Sequence, residues 1–370
     1  METSIDDRHW VHELLEEEFE IQDITIGAMG GHAIRVRGRF LGNSRHAYEH
    51  LAPYFRARGH TLMFRHEEGE AVIYIMRGIV QPKPNNTWLP IILAAATVLS
   101  MLFSYTFYWG SSEPSWASFW YNLPTGLAAT GTLLAILLAH EMGHYVTARS
   151  LGVAVTLPFL IPFPFSPFGT MGAVIRMKDI PPSRRAMLLI GAAGPLSGLI
   201  VALPLLIVGL SLSVVEPLPL SGGYVLEGNS LLYGFIKLLL LGRWLPSKGI
   251  DVSLHPVAFS AWAGLLVTSL NLIPAGQLDG GHIARALLGQ RAQQLNWLII
   301  GLLAVLGFLW QGWLLWAALI FLFSRRAVAP LDDVSPLTRR EAILAAIMLL
   351  LFILAFTPVP LSVVPPDTWI

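Results

Sequence analysis

Leu123-Pro-Thr-Gly-Leu-Ala-Ala-Thr-Gly-Thr-Leu-Leu-Ala-Ile-Leu-Leu138 carries no charge and runs through Ala139 into His140-Glu141-Met142-Gly143-His144. An apolar run of this kind reads as a helix at membrane depth, and it ends on three ionisable side chains. On a helix, positions i and i+4 are about 400° apart, so His140 and His144 share a face and offer two nitrogens to one metal ion. Glu141 points to an adjacent face, where it can reach a water on that metal as a general base. The plain alternatives are a chance match and a polar cluster that only joins helices. Charge inside a membrane span is costly and usually functional, which favours the metal site.

Composition agrees with a membrane setting. The chain has 370 residues, of which 54% are hydrophobic and only 13% charged; its mean hydropathy is +0.59. Those values exclude a disordered chain, a nucleic-acid binder led by basic patches and an ordinary cytosolic enzyme. Lys+Arg and Asp+Glu are both 24, so no net field points to a partner. There is no cysteine, so disulfides, a thiolate nucleophile and Cys-ligated metal are all excluded. Any metal must be held by histidine and carboxylate.

The charge is unevenly spread. Residues 1–85 hold most of the acidic groups, and the acidic start is unlike a signal or transit peptide. This section reads as a small soluble α+β domain with linker. Its expected order is helix, strand (Ala33 to Phe40), helix from a Ser44 cap to about Arg58, then strands at Leu62–Phe64 and Ala71–Met76. Gln81 to Asn86 reads as the linker. Residues 86–358 read as a mainly α, polytopic membrane helix bundle, and 359–370 as a short tail. Expected spans are Trp88–Trp109, Leu123 into His144, Ala186–Val215, Pro256–Leu272, Trp297–Phe323 and Ala342–Phe356. The stretch 297–323 is too long for one span. A hairpin around Gln311-Gly312 has short arms, so the expected count is six or seven.

Basic residues set the expected orientation. Arg77 and Lys83 precede the first span, Arg149, Arg176, Lys178, Arg184 and Arg185 lie between the second and third, and Arg285 and Arg291 follow the fourth. The N-terminal domain is therefore expected on the cytoplasmic side. Arg325, Arg326, Arg339 and Arg340 belong inside as well, whereas Lys237, Arg243 and Lys248 fall outside, against the rule. Leu231–Leu241 reads as an interfacial helix. Thr156–Ile175 holds Pro158, Pro162, Pro164 and Pro167, which forbid a continuous helix. It reads as a re-entrant β-hairpin-like loop facing something polar, or as a surface loop in the headgroups.

A catalytic zinc needs a third protein ligand. Asn271-Leu-Ile-Pro274-Ala-Gly-Gln-Leu-Asp279-Gly280-Gly281-His282 offers one. Pro274 breaks the fourth span and the two glycines allow close backbone approach, leaving Asp279 as a carboxylate near membrane depth. Asp279 reads alternatively as a helix cap, and His282 is the alternative ligand.

His140-Glu141-x-x-His144 joined to Asn271-x-x-Pro274-x-x-x-Leu278-Asp279-Gly280 resembles the site-2 protease family of intramembrane zinc metalloproteases over about residues 88–358. The resemblance implies that His140, His144 and Asp279 bind one zinc ion, that Glu141 is the base, and that Asn271 polarises the scissile carbonyl or holds the oxyanion. Gly194-Pro195 resembles a signature in the family's third core span. Phe168-Gly169-Thr170-Met171-Gly172-Ala173 resembles its membrane hairpin, whose edge pairs with an unwound substrate. Many bacterial members carry an inserted PDZ domain, and Glu216–His255 is too short for one. The soluble start resembles the cyanobacterial and plastid-type subgroup. The implied partners are a transmembrane-helix protein substrate and the lipid bilayer, with no nucleic acid, and the expected location is a bacterial cytoplasmic membrane. The alternatives are a CAAX-type membrane protease, which wants a downstream Glu ligand, and a non-catalytic scaffold, which an intact Glu141 argues against.

Overall fold

The structure, a computed structural model, describes residues 3–28, 33–79, 87–109, 115–218, 224–247, 249–324 and 329–364. The expected linker Gln81–Asn86, together with Lys83, Lys248, Arg325 and Arg326, lies outside the described residues.

The N-terminal α+β region comprises α1 (Thr3–Leu15), β1 (Phe19–Gly27), β2 (Ala33–Phe40), α2 (Ser44–Ala57), β3 (His60–Glu67) and β4 (Glu70–Arg77). The strands form one antiparallel sheet in the order β1-β2-β4-β3. Its core is Val11, Leu15, Phe19, Val36, Leu51, Phe55, Phe64, Ile73 and Ile75, all fully buried or nearly so. Strand β1 is absent from the sequence expectation. The register shifts between Ile21 and Asp23, and that bulge breaks the period-two alternation by which a strand is recognised. The cap of α2 also differs from expectation. Asn43 Oδ1 accepts from the N–H groups of Arg45 (2.9 Å) and His46 (3.4 Å), and Ser44 is the first helical residue. The Ser44 hydroxyl instead meets that of Ser335 at 2.9 Å, far along the chain.

The remainder is helical. Its helices are α3 (Trp88–Phe103), running on through a π-helical turn to Trp109, α4 (Trp116–Ser150), α5 (Arg184–Ser211), α6 (Leu231–Leu241) and α7 (Pro256–Asn271). They continue with α8 (Asp279–Leu288), α9 (Ala292–Leu306), α10 (Gly312–Ser324) and α11 (Arg339–Ala355). Among the described residues, three helices are long and apolar enough to cross a membrane: Trp88–Phe107, Trp116–Ser150 and Arg184–Ser211. Helices α6, α7 and α10 are apolar but shorter.

The long run 297–323 is a hairpin of α9 and α10. The two helices are antiparallel: Trp297 meets Phe321 with ring centroids 5.8 Å apart, and the Ser324 hydroxyl donates to Asn296 Oδ1 at 3.0 Å. A Cβ at Gly307 would lie 2.3 Å from the Leu314 side chain, and one at Gly312 2.0 Å from the Trp310 ring. The turn therefore closes only because both positions are glycine. Hydropathy cannot register such a break, because the turn is as apolar as its arms.

The proline-rich segment is also a hairpin, with β5 (Phe159–Pro162) antiparallel to β6 (Thr170–Val174) and a further bridge between Val155 and Met177. Its loop rests on α3, where the hydroxyls of Ser100 and Ser104 donate to the carbonyls of Gly169 and Ser166, both at 2.6 Å. Irregular backbone is thus covered by protein, as burial at membrane depth demands.

Past α5 lies a small cap, in which β7 (Val214–Pro217) pairs with β9 (Ile250–Ser253) and β8 (Tyr224–Glu227) with β10 (Leu361–Val364). Part of the expected tail is therefore a strand. Lys237, which breaks the positive-inside pattern, is fully buried, donates to Glu227 at 3.3 Å and lies 4.5 Å above the Tyr233 ring. Its charge is neutralised locally, so it places no bare cation on that side.

Candidate metal centre

Helix α4 brings His140, Glu141 and His144, all buried, to the middle of the helical region. Helix α5 passes beside them with Gly191, Gly194 and Gly198 on one face. A Cβ at Gly194 would lie 2.0 Å from His144 Nε2, and one at Gly198 would lie 3.2 Å from His140 Nδ1. At Gly191 it would sit 3.2 Å from the Asp279 carbonyl oxygen. From the other side, a Cβ at Gly143 would lie 2.5 Å from the Ala193 carbonyl oxygen. The two helices therefore touch backbone to backbone, and the missing side chains form a trough that holds the imidazoles. Pro195, next to Gly194, is buried in α5.

The third arm comes from α7 and α8. Pro274 has no N–H to continue α7, which ends at Asn271, and the chain folds back sharply to start α8 at Asp279. A Cβ at Gly280 would lie 2.0 Å from the Leu272 carbonyl oxygen, and one at Gly281 2.5 Å from that of Gly276. Only glycines allow this fold-back, which carries Asp279 to the histidines.

Asp279 Oδ2 lies 3.1 Å from His140 Nε2 and 3.1 Å from His144 Nε2. Asn271 Nδ2 lies 3.3 Å from His140 Nε2. His144 Nδ1 is 2.7 Å from the Ile190 carbonyl oxygen. A carbonyl only accepts, so Nδ1 carries the hydrogen and a neutral ring turns the Nε2 lone pair toward Asp279. Two acceptors facing each other at that distance require a proton or a metal ion between them. The three ligand atoms lie within 4.8 Å of one another and form, among the described residues, a group that could hold a metal. Two imidazoles and a carboxylate suit zinc with one position left open, and the Ile190 contact is the outer hydrogen bond that orients such a ligand.

Glu141 is buried beside this group, on the side of the Ile175 backbone just past β6. The base candidate thus stands between the metal ligands and the hairpin. His282, the alternative ligand, is not among the converging atoms. His255 caps α7, its Nδ1 accepting from Val257 N–H at 3.3 Å.

The hairpin differs from expectation in which residues are free. Phe168 packs on Phe259 and Trp262, with centroids 5.9 and 6.5 Å away. A Cβ at Gly169 would lie 2.4 Å from Met101 Cα, and its φ is +67°. Thr170 is buried, its hydroxyl donating to the Ile161 carbonyl at 2.9 Å. These three anchor the hairpin on its protein-facing side. Met171 is 69% exposed on the edge of β6, with Gly172 buried and Ala173 half-buried beside it. Sequence reasoning missed the Ile190 carbonyl, which as backbone leaves no signal. It also missed Gly143, inside the motif, where only the packing of α5 shows why a side chain is refused.

The sequence profile of Peptidase family M50 matches residues 128–308. "Probable zinc metalloprotease EGY2, chloroplastic" of Arabidopsis thaliana is 34% identical over 242 residues, covering 65% of this chain and 43% of that protein. "Probable zinc metalloprotease EGY1, chloroplastic" of Arabidopsis thaliana is 32% identical over 61% of this chain and 42% of its own length. "Probable zinc metallopeptidase EGY3, chloroplastic" of the same plant is 30% identical over 43% of this chain and 30% of its own. This chain thus spans less than half the length of the curated relatives it matches. They are named as chloroplast proteins and lend no support to the expected bacterial cytoplasmic membrane. No solved structure matches. The matched residues 128–308 contain the histidine pair, the glycine face of α5 and Asp279, so the site described above lies within the part of the chain that resembles Peptidase family M50.

Proposed function

We propose that this chain is an intramembrane zinc metalloprotease that hydrolyses peptide bonds within or beside the transmembrane segments of other membrane proteins. The observation that carries this reading is the meeting of His140 Nε2, His144 Nε2 and Asp279 Oδ2 beside Glu141 and Asn271, on helices of membrane character. His140, His144 and Asp279 would hold the metal, which would supply Lewis acidity when bound. Glu141 takes the proton from the attacking water and returns one to the leaving amine. The Asn271 amide, beside His140 Nε2, donates to the oxygen of the carbonyl as charge grows on it. A helical substrate has its peptide groups tied up internally and must unwind. The outer edge of β6 around Met171 supplies replacement backbone partners. Phe168, Gly169 and Thr170 keep that edge rigid.

The proposed setting is a lipid bilayer crossed by α3, α4, α5, α7, the short α9–α10 hairpin and α11. The N-terminal region stands on the side of the basic loops, and the cut releases a fragment toward that side. Glu141→Gln tests the reading. The variant is expected to keep its fold and its zinc, measured by metal analysis, and to lose cleavage of a single-span membrane substrate. Unchanged cleavage would refute it.

A further inference from the structure

Six residues along α8 from Asp279, Arg285 meets Asp333, one of two adjacent aspartates in a segment that Arg65 of β3 also grips. Asp332 and Asp333 lie in the extended segment 329–336 between α10 and α11. On one side of it, the N–H groups of Leu331 and Asp332 donate to the carbonyls of Pro181 (2.9 Å) and Pro182 (3.0 Å), just before α5. On the other side, Phe64 N–H of β3 donates to the Leu331 carbonyl (2.9 Å), and Asp333 N–H donates to the Phe64 carbonyl (3.2 Å). Asp332 is bridged in parallel to Phe64 and to Ser183, so these backbone contacts tie the segment to both the N-terminal region and the helical region. Arg65 of β3 donates to the carbonyls of Pro330 and Leu331, both at 2.8 Å. Arg184 of α5 donates to the carbonyls of Ala286 (2.8 Å) and Leu287 (2.9 Å) at the end of α8. The buried Asp333 carboxylate takes the guanidinium of Arg285, in the last turn of α8.

Helix α8 begins at Asp279, so Arg285 sits six residues, or about 9 Å, along the same rigid rod from the proposed metal ligand. Metal–ligand distances tolerate only about ±0.2 Å. A buried ion pair is weak evidence of net stability, whereas a role in setting register is well attested. Here the register in question is that of α8. We propose that Arg285 and Asp333 are positioning residues for the metal site. By gripping Asp333 through β3, the N-terminal region sets where α8 presents Asp279. This rests on the metalloprotease reading for its consequence, but the mechanical link can be read without metal.

The test uses the full chain with Asp333→Asn and, separately, Arg65→Gln, which leaves the Arg285–Asp333 pair in place. In the metal-free protein, amides of residues 280–288 are expected to exchange faster in both variants, with those of α5 around Gly198 unchanged. In the zinc-loaded protein, Asp333→Asn is expected to lose zinc to a chelator about tenfold more readily and to lower kcat with KM unchanged. Exchanging the charges, Arg285→Asp with Asp333→Arg, is expected to restore zinc retention. Arg45→Ala removes other contacts of the N-terminal region, its ion pair with Glu341 at 2.9 Å and its hydrogen bond to the Pro336 carbonyl at 3.1 Å, while leaving Arg65 and the Arg285–Asp333 pair in place, and is expected to leave zinc retention unchanged. The proposal is overturned if α8 exchange and zinc retention in Asp333→Asn match the unaltered chain, or if Arg45→Ala weakens zinc as much as Asp333→Asn does. An unaltered chain that takes up no zinc would refute the metalloprotease reading, and the exchange measurement would still decide this one.

Discussion

The N-terminal region buries Phe19, Phe55 and Phe64 almost completely, while the helical region turns Ile200, Leu239, Leu298 and Leu322 outward, each more than 60% exposed. Inside the helical region large side chains such as Ile136, Leu206, Trp262 and Trp313 are also buried, but the backbones meet at small residues: Gly143, Gly191, Gly194 and Gly198 between α4 and α5, and Ala258, Ala261 and Ala263 on α7. One region keeps its large apolar groups from water. The other is read as membrane-embedded, where an apolar surround leaves outward leucines without penalty and close backbones add packing. That closeness leaves space for two histidines and an aspartate. The same economy in side-chain volume that joins the helices also makes the metal site.

The comparison breaks most severely at Gly194. Gly194→Leu puts side-chain atoms where His144 Nε2 stands. It is expected to abolish zinc retention, measured by metal analysis of the purified chain, and cleavage with it. Retained zinc would mean that the trough is not what holds the imidazole. The counterpart in the N-terminal region is Phe55→Ala, which empties a fully buried site. It is expected to cost that region about 3–5 kcal/mol, read from hydrogen exchange of β3 and β4. A paired substitution then sharpens the contrast between the two surrounds. Ile200→Lys, on an exposed face of α5, is expected to cost about 2.5–3.5 kcal/mol in membrane insertion. Leu41→Lys, 61% exposed on the N-terminal region, is expected to change stability by less than about 0.5 kcal/mol in denaturant unfolding. Equal costs would show that both surfaces face water.

Legibility followed range along the chain. The histidine pair, its glutamate, the break at Pro274 and the helices α4, α5 and α7 were readable because helical period and proline chemistry act over a few residues. Strand β1 was not, since a bulge disturbs its alternation, and the cap of α2 fell one residue early because Asn43 and Ser44 are both competent caps. The α9–α10 turn was one of two readings of 297–323, and the sequence did not choose between them because Gly307 and Gly312 matter only against Leu314 and the Trp310 ring. In the hairpin, Phe168 was read as facing substrate because nothing local announces Phe259 and Trp262.

Sequence by itself determined that any metal here must be held by histidine and carboxylate, that the helices are apolar enough for an apolar surround, and that a glutamate stands next to the first candidate ligand. Those statements depend on composition and on the angle between neighbouring residues. Tertiary structure decided that Asp279, 139 positions from His140, is the carboxylate that arrives. It also decided that Ile190 orients His144 and that segment 329–336 joins the N-terminal region to α8. Each of those depends on which backbones can approach one another, and that is settled only when the glycines meet their neighbours.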